Sequence, residues 1–303
     1  MRRGRNASHT DACQYPVKVA AELILRSGST LLEELSRAAL YDRCVFFAGL
    51  PGVGKTLLVQ QLALLAHGVG RRVHLLQWDV ARLAFETPGL LARYPEVDGV
   101  THAALRKAVG VWVRDAVQRW DLAYPDPGNL LIGETPLIGN RLIELVRIHD
   151  DAAERLLQSA RTEFLVPAPS RRVRAAIEEA RAREMERPSH AREVANAPLG
   201  LVQAQWTQVL EAASLLDIAP PERPTEYEPR LYAAVYARLL CHRRQRVLFI
   251  DDVLIPRGSA YALDVPIQSE LRPGVDDVRE AMAVVDNWPP DQLARSVERW
   301  YAV

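Results

Sequence analysis

Apolar and polar positions follow two rhythms along this chain. Short, unbroken apolar runs recur within CVFFA (44–48), RRVHLLQWDV (71–80), NLLIGET (129–135), TEFLVPAP (162–169) and VLFID (247–251). Runs of this length, apolar throughout, mark strands buried on both faces. Between them the apolar residues fall at helical spacing. TLLVQQLALLAHGVG starts at Thr56 and meets a glycine stop at Gly68 and Gly70. Further helices are predicted over 101–119, from about Leu137 to Arg147, over 170–187, 206–216 and 231–244, and over 276–300 with a Trp-Pro-Pro break at 288–290. Residues 17–40 read as two short amphipathic helices parted at Ser27–Thr30. Strands alternating with helices predict an α/β fold, a five-stranded parallel sheet covered on both faces.

Length and composition refine this picture. With 303 residues, 49% of them hydrophobic and 25% charged, the chain can build a full core. The expected organisation is a mobile tail at 1–14 and one α/β domain over 15–303, with appended helices at each end. A formal net charge of zero disfavours a general nucleic-acid partner held by a broad basic field. No apolar run reaches the ~18 residues a bilayer requires. MRRGRNASHTDACQYP lacks the apolar stretch of a secretory signal. Cys13, Cys44 and Cys241 have no metal-ligand spacing, so reduced thiols and a cytoplasmic location are expected. Lysine occurs only at positions 18, 55 and 107.

One of those lysines stands in GLPGVGKT, Gly49–Thr56, which satisfies G-x-x-x-x-G-K-[ST] at every fixed position. Gly49, Gly52 and Gly54 allow the tight turn that aims successive N–H groups at one phosphate. The helix entered at Lys55 adds the positive end of its dipole. These residues resemble the Walker A motif of P-loop NTPases. The resemblance implies that the amides from Gly49 through Val53, Gly54 and Leu57 cradle the phosphates of ATP or another nucleoside triphosphate. It further implies that Lys55 reaches the β- and γ-phosphates and that Thr56 binds Mg²⁺.

Within that superfamily, no Asn-Lys-x-Asp motif surrounds Lys18 or Lys107, and no LSGGQ-like signature occurs. The remaining parts resemble the small-molecule and nucleotide kinases. In that group the second and third strands end in polar residues facing the acceptor, and an arginine-bearing lid follows the fourth strand. Asp79 ends the second expected strand beside Trp78, with Arg82 one turn on, and Glu134 ends the third. Ligands collect at such strand ends. The resemblance implies that Asp79 and Arg82 contact the acceptor, and that Glu134 holds Mg²⁺ or the acceptor. The lid is expected over 170–190, with Arg171, Arg174 and Arg181 on one helical face and Glu179 paired with Arg183. Residues 80–128, including Trp112 and Trp120, would form the acceptor-side wall. The strand order implied is 2-3-1-4-5.

The expected function is ATP·Mg²⁺-dependent phosphoryl transfer to a small molecule, with neither nucleic acid nor membrane as partner. Each carboxylate also has a plainer reading as a capping or solvated strand-end group, and the lid arginines as a solvated, salt-bridged helix. The alternative function is a regulatory or remodelling ATPase in which Asp251 and Asp252 of VLFIDD serve as Walker B acids. A nucleotide-sensing module is the third reading.

Overall fold

The computed structural model of the chain describes residues 22–97, 99–186, 190–194, 199–218 and 224–303. Six strands run parallel in one sheet: β1 (Cys44–Ala48), β2 (Arg72–Gln77), β3 (Asn129–Thr135), β4 (Thr162–Pro169), β5 (Gln245–Ile250) and β6 (Ile267–Glu270). Their spatial order is β5-β4-β1-β3-β2-β6. The five expected strands therefore stand as 2-3-1-4-5, but the count of five is one too few. The extra strand is IQSE, too short and too polar to register as an apolar run. The tail expected at 1–14 lies outside the described residues.

Helices cover both faces. They are α1 (Thr30–Tyr41), α2 (Lys55–Gly68), α3 (Trp78–Ala81), α4 (Pro88–Arg93), α5 (Ala103–Ala123), α6 (Ala152–Leu157), α7 (Arg171–Glu186), α8 (Ala191–Val194), α9 (Leu199–Leu215), α10 (Pro229–Leu239), α11 (Val275–Asp286) and α12 (Pro290–Glu298). Alternation along β1 shows why the sheet needs two cover layers. Val45 and Phe47 pack with Leu35 of α1 and Leu58 and Leu62 of α2, whereas Phe46 packs with Val109 and Val113 of α5 and Tyr236 of α10. Each such side chain contributes about 1.5–3 kcal/mol on burial. Among the described residues no helix is long and apolar enough to cross a membrane.

Three expectations about local structure are corrected. Of the first helix expected from residue 17, 17–21 lie outside the described residues and 22–29 carry no helix; α1 begins at Thr30 behind the Ser29 cap, whose hydroxyl accepts from the Leu32 amide at 3.2 Å. The second strand stops at Gln77, and Trp78–Ala81 turn into a helix. The helix expected from Leu137 to Arg147 is absent. Leu137, Gly139, Asn140 and Leu142 all take positive φ, and only Ile143–Leu145 make a 3-10 turn. Apolar spacing misleads here because Leu137, Ile138 and Leu142 are completely buried by a folded loop. Leu137 and Arg141 close that loop by exchanging backbone hydrogen bonds of 2.9 and 3.2 Å.

Candidate functional site

β1 delivers the Gly49–Thr56 loop to the carboxyl edge of the sheet, and α2 starts at Lys55. Gly52 and Gly54 have φ of 77° and 86°, a left-handed backbone that glycine adopts without steric cost. Gly49 is constrained differently. A Cβ there would lie 2.5 Å from the Tyr232 hydroxyl and 2.9 Å from Val53 Cγ2. Val53 is buried beneath the loop, and Leu57 is half-buried along the adjoining cleft. The Lys55 ammonium donates to the Leu50 carbonyl at 2.8 Å.

Glu134 reaches the loop because β3 neighbours β1 with Phe47 opposite Glu134. The Thr56 hydroxyl donates to its carboxylate, with oxygens at 3.2 and 3.3 Å, and Lys55 Nζ lies 3.7 Å away. On the other side, β2 sets Gln77 opposite Glu134, and the Gln77 amide contacts the carboxylate at 3.5 Å. Burial pushes the Glu134 carboxyl above the usual carboxylate range, with Lys55 opposing and Asp79 adding to the rise. Burial likewise lowers the Lys55 ammonium, against the pull of Glu134. The two groups form a desolvated pair of opposite sign, the condition under which charge interactions act strongly.

The loop opens into a cleft of about 790 Å³. Asp79 and Arg82 line it, 3.4 Å apart, and Arg82 also pairs with Glu86 at 2.5 Å. The charge of Asp79 acts on Lys55, Glu134 and Arg141 alike, so the residues expected around the acceptor do share one space. Trp112 and Trp120 do not. Both are core residues behind that wall, whose cleft side is formed instead by Leu83, Glu86 and Thr101.

Helix α7 lies over the loop: its Ile177 Cδ1 would sit 3.6 Å from a Cβ added at Gly54. Arg181 lines the cleft and its buried Nε has no hydrogen-bond partner. The other two lid arginines turn elsewhere, which corrects their assignment. Arg174 is buried with Nε on Glu178 at 2.8 Å and its guanidinium 4.2 Å from the Tyr227 ring centroid. Arg171 donates to the Tyr227 carbonyl at 3.0 Å. The physical reason is that the segment before α10 docks against the first turns of α7 and takes two of the three. Arg183 bonds the Glu179 carbonyl at 3.4 Å, rather than its carboxylate. Of the lid range 170–190, residues 187–189 lie outside the described residues.

Several cleft residues carry no sequence signal. Arg192, 115 residues from Gln77 in sequence, donates to its side-chain Oε1 at 2.6 Å and to Glu270 at the end of β6 at 3.2 Å. Arg141 and Tyr261 also line the cleft, as does Asp252, whereas Asp251 does not. Asp251 follows β5, which is separated from β1 by β4. Among the described residues no group of three or more His, Cys, Asp or Glu is arranged to hold a metal unaided. Thr56 and Glu134 are hard oxygen donors at adjacent positions. They fit Mg²⁺, which is typically bound by one or two carboxylates with phosphate and water completing the octahedron. No protein-family model matches the chain, and no curated protein matches it either.

Proposed function

We propose that the protein is a P-loop phosphotransferase that moves the γ-phosphoryl group of ATP, or a related triphosphate, to a hydroxyl of a small molecule. The observation that carries this reading is the convergence of Thr56, Lys55 and Glu134 at the head of a cleft that continues past them. Beyond the triad lie Asp79, Arg82 and Arg141. A pure ATPase requires room for water, whereas about 790 Å³ stands towards the upper end of small-molecule sites.

Roles follow from position. The loop amides and the α2 N-terminus hold the phosphates, and Lys55 reaches towards the transferring group. Thr56 and Glu134 would hold Mg²⁺, which when bound neutralises charge developing on the phosphate oxygens. Asp79 accepts the acceptor's hydroxyl proton as the new O–P bond forms and the bond to the β-phosphate oxygen breaks, leaving ADP. Arg181 stabilises the equatorial oxygens, a task suited to the planar guanidinium. Arg192, fixed by Gln77 and Glu270, supports the same end of the cleft. The competing ATPase reading, with Asp251 and Asp252 as Walker B acids, has the weaker geometric support because Glu134 and not Asp251 meets Thr56.

The test follows label from γ-labelled ATP with Mg²⁺ and a pooled metabolite extract, using Lys55→Ala as control. Label entering a new small molecule, and lost in the variant, is the expected outcome. Release only as inorganic phosphate, whatever the extract, would transfer the case to the ATPase.

A further inference from the structure

Arg141 of the cleft wall belongs to an arrangement that phosphate binding at the loop does not use. Arg106 of α5 and Arg141 of the loop after β3 both bring Nη1 to the α-carbon of Gly139. A Cβ built there would lie 3.1 and 3.0 Å from these atoms, and 3.6 Å from the Gln208 Oε1 of α9. Each guanidinium has one hydrogen bond among the described residues, Arg106 to the Gly139 carbonyl and Arg141 to that of Ile138 at 3.0 Å. Neither has a carboxylate within ion-pair distance in the described residues.

Other buried arginines of the same protein are treated differently. Arg114 is held by Asp151 and Glu154 at 2.5 and 2.8 Å, and Arg243 by Glu154 at 2.5 Å. Arg71 is capped by the carbonyls of Ala39, Pro127 and Asn129. Burying unpaired like charges is costly, and here burial with the charge of Arg141 brings Arg106 down to about 10.

Unmet polar atoms surround the pair. Asn140 is fully buried with both amide atoms unpartnered, and Gln205 and Gln208 have unpartnered carbonyl oxygens. Arg141 and Gln205 line the cleft. Two cations without a carboxylate in ion-pair contact, near unmet carbonyl acceptors, call for a ligand bearing both an anionic group and hydroxyl or amide donors.

We propose that this part of the cleft wall selects the acceptor, and that the acceptor is a polyhydroxylated small molecule carrying its own phosphate or carboxylate, bound by Arg141 with the charge of Arg106 behind it. The inference rests on the phosphotransferase reading for the word acceptor, but the binding site stands on its own geometry. Anion binding relieves the repulsion between the two guanidiniums, so ligand affinity and protein stability rise together.

The experiment uses the full Lys55→Ala chain, in which the loop lysine does not contribute. It is titrated calorimetrically with ribose 5-phosphate, glycerate and ribose. At least one anionic probe is expected to bind tenfold or more tightly than ribose, and which one wins identifies phosphate or carboxylate as the recognised group. Adding Arg141→Gln is expected to abolish that difference. If Arg141→Gln fails to fold by circular dichroism, Arg106→Gln takes its place. Equal binding of all three probes, or a preference untouched by the arginine substitution, overturns the proposal. ATP·Mg²⁺ binding by the unsubstituted chain is measured alongside. Its failure would sink the phosphotransferase reading and leave the anion titrations interpretable.

Discussion

Glu134 shows how much a single side chain can carry at the residue scale. Burial raises its carboxyl above the ordinary range, yet its place against Thr56 and Lys55 serves only when ionised. At Mg²⁺ well below saturation, where protons compete with the metal for this carboxylate, activity should therefore fall as pH drops through that raised value, giving an acid limb above the range of a free glutamate. Glu134→Gln should lose roughly 100-fold or more in kcat, in line with removal of a preorganised electrostatic group, and its residual activity should lack the limb. A kcat–pH profile of the two proteins checks both. This residue was legible in the sequence because an apolar strand ending in an acid is a strong signal. Arg141, Arg192 and Tyr261 were not, because their approach to the loop depends on irregular segments whose path no periodicity encodes. Asp79 was legible in position but not in setting, being the start of a helical turn.

Strand pairing makes its own demands at the scale of the element. Phe46 of β1 stands opposite Gly133 of β3 and beside Phe164 of β4, with the two rings 4.9 Å apart. A Cβ at Gly133 would fall 2.3 Å from Phe46 Cδ1, so the ring occupies the space that the glycine leaves. Gly133→Ala is expected to destabilise by about 1–3 kcal/mol through overpacking. Pairing it with Phe46→Leu should recover part of the loss, read as denaturation midpoints at constant m-value. A glycine inside a strand ordinarily weakens it, and the opposing ring is what requires Gly133 here. Helices α2 and α5 were readable because their apolar residues recur at helical spacing, and α7 because its arginines and glutamates do. IQSE and the 136–142 loop were not, since the first lacks a stripe and the second carries helical spacing without a helix.

For the whole molecule, a buried ionic cluster joins parts distant in sequence. Lys107 of α5 meets Glu144 at 2.5 Å, Arg147 at 3.1 Å and His149 at 2.9 Å contact the same carboxylate, and the Lys107 ammonium sits 4.9 Å from the Trp288 ring centroid between α11 and α12. Hydrogen bonds and neighbouring cations overcome burial and bring Glu144 down to about 2. Because the folded value lies below the unfolded one, its stabilisation is full above about pH 5 and is lost as pH falls towards 2. Glu144→Gln should cost roughly 3–5 kcal/mol at neutral pH by leaving Lys107 buried and unpaired. It should also flatten the acid slope of stability, measured by denaturant titration at successive pH values.

Strand β6 has a further consequence, for the order in which the molecule can be finished. It pairs with β2, where His74 Nδ1 and the Ser269 hydroxyl are 2.7 Å apart across 195 residues of chain. At a synthesis rate of about 5–20 residues per second, β2 emerges roughly 10–40 s before its partner. Through that interval RVHLLQ is the open margin of the growing sheet, apolar and with an unpaired ladder, the condition that invites pairing with other chains. The same delay postpones the Glu270 anchor of Arg192, so the cleft is completed only when its outermost strand is laid down.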